Sequence, residues 1–143
     1  MLSTIVEALQ KFCTHQLRQE CAIENGIPKT RTLIAYIDIV RQDTKEYRVY
    51  MASDKKFMQK VSQIFLEEDE SDEETLIDML LETTNLVVGS AKVIAETSEN
   101  PYIIKTPHFE KFDSFDFEYD QAKTVKLKDT QIIIAIKELN VQK

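Results

Sequence analysis

Six residues in the middle of the chain, Asp78, Glu82, Asn85, Gly89, Lys92 and Glu96, stand in alternating steps of four and three. At about 100° per residue, that spacing gathers them on one narrow strip of a helix. The strip carries carboxylates, which accept hydrogen bonds and pair with cations. It also carries a carboxamide, which can hold a water by one donor and one acceptor without a titratable base. Asn85 and Gly89 are expensive choices there. They cost about half and about one kcal/mol respectively against Ala in a helix interior. Two poor helix formers one turn apart beside a carboxylate ask for a reason other than folding. A solvated face with incidental residues is the competing reading.

Other chemistries have little to draw on. Cys13 and Cys21 are the only thiols, too few for a disulfide framework or a zinc knuckle, and read as ordinary reduced, partly buried cysteines. His15 and His108 are the only histidines, which excludes a histidine-rich metal site. Counting leaves open a Cys–His dyad of Cys13 or Cys21 with His108, although nothing around either cysteine supports one. Glycine occurs only at positions 26 and 89. A P-loop, a GxGxxG turn and any glycine-rich phosphate cradle are therefore missing. The net charge of −7 argues against a nucleic-acid partner, which needs clustered Lys and Arg. The apolar runs fall short of the roughly 20 residues that a membrane span needs. The N-terminus has no basic-then-apolar signal pattern. A single domain over 1–143, cytoplasmic and off the membrane, is expected.

The elements around the strip follow from periodicity. Leu2, Ile5, Val6, Leu9, Phe12, Cys13 and Leu17 predict an amphipathic helix from Leu2 to Cys21, with Ser3 as candidate N-cap and Asn25-Gly26-Ile27-Pro28 as the turn beyond it. Thr32 to Val40 and Tyr47 to Met51, separated by Gln42-Asp43-Thr44-Lys45, predict a β-hairpin. A short helix follows from about Ser53 to Leu66. The acidic run Glu67 to Glu74 lacks the central glycine of a calcium loop. It reads instead as a helix start, with Ser71 and Glu74 as a capping box. The long helix would run from about Asp72 to Ser98, stopped by Asn100-Pro101. Its residues Leu76, Ile77, Leu80, Leu81, Val87, Val88, Ala91, Ile94 and Ala95 project onto one core-facing arc, opposite the polar strip. Tyr102–Ile104, Phe115–Tyr119, Thr124–Leu127 and Gln131–Ile136 read as strands. Helices and strands come in blocks. The expected class is α+β: a mainly antiparallel sheet packed with a long motif-bearing helix, an N-terminal helix and a short helix.

The segment Asp78-x-x-x-Glu82-x-x-Asn85, continuing to Gly89 and Lys92 and followed by Pro107 at close to the family spacing, resembles the signature of the CheC/CheX/FliY chemotaxis phosphatases. The order of elements resembles the CheX-type domain over essentially the whole chain. CheC proteins carry the Glu/Asn pair twice, whereas the first helix here offers only Glu7-x-x-Gln10. That favours a single-site, CheX-like protein. Two features depart from the family: Thr83-Thr84 stands before Asn85, and the first hairpin lacks glycine.

The resemblance implies hydrolysis of the aspartyl-phosphate on a phosphorylated CheY-type response regulator. Asn85 would position the attacking water and Glu82 would dock the partner's active-site Lys. Asp78, Gly89 and Lys92 would be partner contacts. No cofactor of its own is implied, because Mg²⁺ is expected on the response regulator. A homodimer is implied too, with Gln131–Ile136 as an edge strand available for pairing. The alternative is a catalytically silent dimerisation or adaptor module of the chemotaxis or flagellar-switch apparatus. Exposure of the strip discriminates the two, since catalysis in trans requires Glu82 and Asn85 to be uncovered.

Overall fold

A computed structural model describes residues 1–97 and 101–139. In chain order the elements are α1 (Leu2–His15), β1 (Ala22–Glu24), β2 (Arg31–Arg41), β3 (Glu46–Ser53), α2 (Lys55–Leu66), α3 (Glu73–Thr97), β4 (Tyr102–Ile104), β5 (His108–Ser114), β6 (Gln121–Leu127) and β7 (Thr130–Glu138). The strands form one seven-stranded sheet in the order β1-β6-β7-β3-β2-β4, with β5 also on β2. Every pairing is antiparallel. The three helices and this sheet make the expected α+β fold.

The helices lie over one face of the sheet, with α3 packed against α1, α2 and β2. Period-two alternation sends Leu33, Ala35, Ile37 and Ile39 of β2, Val49 and Met51 of β3, and Ile132 and Ile134 of β7 to this face, where they join the helices in the main core. The residues between them point to the other face. There Ile34, Tyr50, Ala52, Ile133 and Ala135 are covered by Phe115 and Phe117, with the Phe117 ring stacked 4.9 Å from that of Tyr50.

That second cluster corrects the reading of Phe115–Tyr119. The segment is not a strand. Its alternating aromatics plug the outer face of the sheet from a loop. The strand before it, β5, has a register shift opposite Ile34/Ala35, and this bulge breaks the alternation that would have announced it. The three residues of β1 are all exposed and carry no pattern.

Gln131–Ile136 is not an edge. It lies inside β7, bonded to β3 on one side and β6 on the other. Its nearly unbroken apolar run is what burial on both faces demands.

The first helix is shorter than its periodicity suggests. It ends at His15, its N-cap is Met1 and not Ser3, and no side chain caps it. Leu17 is buried all the same, because the chain folds back on itself. The Gln19 N–H reaches the Cys13 carbonyl at 3.1 Å, and Arg18 takes a left-handed conformation with φ +56°. The α2 helix is capped by Asp54, which accepts from the Phe57 N–H at 2.8 Å. The predicted helix end at Ser98 and the stop at Asn100 lie outside the described residues.

Candidate active site

The candidate site is the outward strip of α3, and its geometry starts at the helix N-terminus. Asp72 caps that end, accepting from the Thr75 N–H at 2.8 Å. Hydrogen bonds from the Thr75 hydroxyl and N–H hold the Asp72 carboxyl below the usual range. Ser71 does not form the expected capping box with Glu74. Its hydroxyl donates to Glu68 and its N–H to Gln59, each at 2.8 Å, which ties the acidic connection to α2. Glu73 and Glu74 in the first turn face the positive end of the helix dipole.

Leu76, Met79, Leu80, Thr83, Thr84, Val87, Val88, Ala91 and Ala95 are buried along the inner face of α3. Ile77, Leu81 and Ile94, from the predicted arc, lie at its margins and are half-buried. Thr84 solves its own burial by donating to the Leu80 carbonyl one turn back, at 2.7 Å. The two threonines before Asn85 therefore belong to the core. The site residue follows directly on a locked turn.

On the opposite side Asp78, Glu82, Asn85 and Glu96 are exposed, while Gly89 and Lys92 are half-buried. The backbone brings all of the predicted strip to one face. Among the described residues, the side chains of Asp78, Glu82 and Asn85 make no hydrogen bond or ion pair, so their polar groups are free to meet an outside partner. Gly89 has ordinary helical surroundings, and a Cβ built on it would meet nothing within 4 Å. Neither packing nor a left-handed backbone requires a glycine at this place.

Two neighbours of the strip escaped the sequence reading. Tyr102 on β4 is buried, and its hydroxyl donates to the Val88 carbonyl at 2.9 Å, beside Gly89. Burial raises its pKa, so it stays a neutral donor. This bond fastens the middle of α3 to the sheet. No local pattern announces it, because the partners come from different elements. Leu86 is 43% exposed, next to Asn85. A helical projection shows the signal that was available: Leu86 falls on neither the polar strip nor the apolar arc.

The remaining chemistry sits elsewhere. Cys13 is buried in the main core, and burial pushes its thiol up to about 12. Cys21 is raised for the same reason. The His108 ring lies 5.2 Å from that of Tyr36, whose neighbours belong to the outer-face cluster, so a dyad with Cys13 is not formed. Among the described residues no group of three His, Cys, Asp and Glu side chains is placed to hold a metal ion. Among them, too, no helix is long and apolar enough to cross a membrane. Pro107 lies in the connection from β4 to β5.

Solved structures share this fold. The CheX structure from Vibrio vulnificus is 17% identical and superposes with a TM-score of 0.79, covering 95% of each chain. CheX from Desulfovibrio desulfuricans gives 0.75 at 14% identity over 96% of this chain and 97% of that one. The CheX–CheY–BeF3–Mg²⁺ complex from Borrelia burgdorferi gives 0.68 at 16% identity, with 96% and 97% covered. At these identities the likeness is one of fold. No curated protein matches the chain. The model of the family described as chemotaxis phosphatase CheX matches residues 35–127, from within β2 to the end of β6, and so takes in the whole of α3. With the motif-bearing helix inside the matched span and the fold shared almost end to end, the chain belongs to the CheX family of chemotaxis phosphatases.

Proposed function

We propose that this protein accelerates hydrolysis of the aspartyl-phosphate on a CheY-type response regulator, with Asn85 positioning the attacking water and Glu82 docking the regulator's active-site Lys. The observation that carries the reading is the pair itself. Glu82 and Asn85 stand exposed, one turn apart on one helix face, without a partner among the described residues. Family membership and the fold shared with a CheX crystallised with CheY support the choice of substrate.

The chemistry fits so small a site. The acyl phosphate, its Mg²⁺ and the neighbouring Lys belong to the response regulator. Phosphoryl transfer is mostly in-line alignment and charge stabilisation, with little covalent work for the catalyst. The Asn85 carboxamide accepts a hydrogen bond from the water and donates one to it, setting its lone pair in line with phosphorus. Glu82 fixes the register by pairing with the cation. Asp78 and Lys92 flank the contact, and Gly89 leaves room for the regulator to approach the helix backbone. Glu82 and Asn85 are uncovered, as catalysis in trans requires, which supports the catalytic reading over a silent adaptor.

The test is decay of an acetyl-phosphate-charged response regulator. Asn85→Ala is expected to lower the turnover rate roughly 100-fold, equivalent to about 2.7 kcal/mol of transition-state stabilisation, while binding survives. Unchanged single-turnover decay with this variant would remove Asn85 from the mechanism.

A further inference from the structure

Beside the strip, between the end of α2 and the first half of α3, lies an open groove of about 610 Å³. Phe65, Leu66, Met79 and Leu86 give it an apolar lining, and Asp78 and Glu82 form its rim. Leu66 is 45% exposed and Phe65 37%. The Phe65 ring meets that of Phe12 edge-on, centroids 5.9 Å apart, so this wall is fixed to α1. Exposed apolar surface gathered in one place marks an interaction site more often than chance.

We infer that this groove is the specificity pocket for the same response regulator, taking an apolar side chain that the regulator presents between basic groups. The inference rests on the phosphatase reading above and extends its footprint. Continuity is the first reason. Glu82 belongs to both strip and groove, and Leu86 follows Asn85 directly. A protein partner of ordinary affinity covers roughly 800 Å² on each side. A footprint of that size centred on Glu82 and Asn85 cannot leave Leu86 uncovered.

Charge is the second reason. No Lys or Arg lines the groove. The connection between α2 and α3 adds Glu67, Glu68, Asp69, Glu70 and Asp72 nearby. An apolar floor with an acidic rim selects an apolar anchor flanked by cations and rejects acidic surfaces. The division of labour is then clear: Asn85 acts on the transition state, while Leu66 and Leu86 contribute uniform binding.

The experiment titrates wild type and variants against CheY-type regulators of the same organism locked with BeF3⁻, and runs the dephosphorylation assay in parallel. Leu66→Gln/Leu86→Gln keeps helix propensity at two exposed positions. It is expected to weaken Kd at least tenfold and to raise KM while kcat stays within twofold. Ile64→Gln is the control, equally exposed at 45% but outside the groove lining, and should bind as wild type. Asn85→Ala should keep its Kd and lose turnover. Wild-type affinity in the double variant overturns the groove, even where inactive Asn85→Ala leaves the catalytic reading standing. Weakening by Val93→Gln, two turns along α3 from Leu86 and outside the groove lining, without weakening by the groove variant overturns it too. If the double variant fails to fold, Leu86→Gln alone decides, with a drop of at least threefold expected. A wild type that neither binds nor dephosphorylates any of the regulators sinks both proposals.

Discussion

Left-handed backbone and glycine are placed differently in this chain, and the difference separates folding from use. Arg18, Thr44, Glu67 and Lys128 hold positive φ values of 56°, 68°, 56° and 58° at turns and helix ends, where a glycine would sit without strain. Each costs about 1–2 kcal/mol as a residue with a Cβ. Gly26, at φ +92°, is the one glycine in such a conformation. The other glycine, Gly89, sits inside α3, where an alanine would fit and would favour the helix. A chain that carries four strained turns without glycine has placed one where folding does not ask for it. The same divide runs around α3. The inward face is packed to near-complete burial, whereas the outward strip keeps Asn85 and Gly89 against helix-forming preference.

If that divide is real, damage on the two sides must read out differently. The largest effect should come from Leu80→Ala, which empties a fully buried position on the inner face. It is expected to cost about 2–5 kcal/mol of stability in denaturant melts. The rate of phosphoryl hydrolysis per folded molecule should stay near wild type. A strip variant such as Asn85→Ala should show the reverse, with stability kept or raised by about half a kcal/mol and turnover lost. A Leu80→Ala protein that melts normally but loses turnover would erase the distinction.

Tyr102→Phe probes the boundary, because its hydroxyl bonds the carbonyl next to Gly89 yet belongs to the core. Loss of one buried hydrogen bond predicts about 1 kcal/mol of destabilisation. Turnover measured well below the melting temperature should hold within twofold. A larger drop in kcat at constant KM would make Tyr102 a positioning residue for Asn85.

How much of this was legible in the sequence depended on how local the cause was. The two faces of α3 are periodic within a single helix, so projection located both core and strip. The hairpin, the short helix and β7 carry their own β-branched or apolar patterns. The failures had distant causes. A bulge against β2 disguised β5, and the aromatic alternation of Phe115–Tyr119 serves the outer face of the sheet from a loop. The apolar run of β7 was legible as a strand but not as a central one, since its neighbours come from β3 and from β6. At the start of α3, Ser71 and Asp72 are both competent caps. A bond to Gln59 on α2 draws Ser71 away and leaves the role to Asp72. Tyr102 was legible as a strand residue, and its bond to Val88 only through the fold.

The finest test is Gly89→Ala, because it sets the two demands on one residue against each other. Within the chain a methyl group at this position meets only open space, so the substitution should raise stability by about 1 kcal/mol in a melt. If the response regulator packs against the helix backbone at that turn, the same methyl is overpacked in the complex. Overpacking costs about 1–3 kcal/mol in a filled interior, so affinity for a BeF3⁻-locked regulator should fall about tenfold. A bulky Gly89→Leu should deepen the loss without lowering the melt, since the space is open in the free protein. A variant that is more stable and binds equally well would make Gly89 an incidental cost of the solvated face. A more stable variant that binds worse would show the helix giving up stability where its partner must come close.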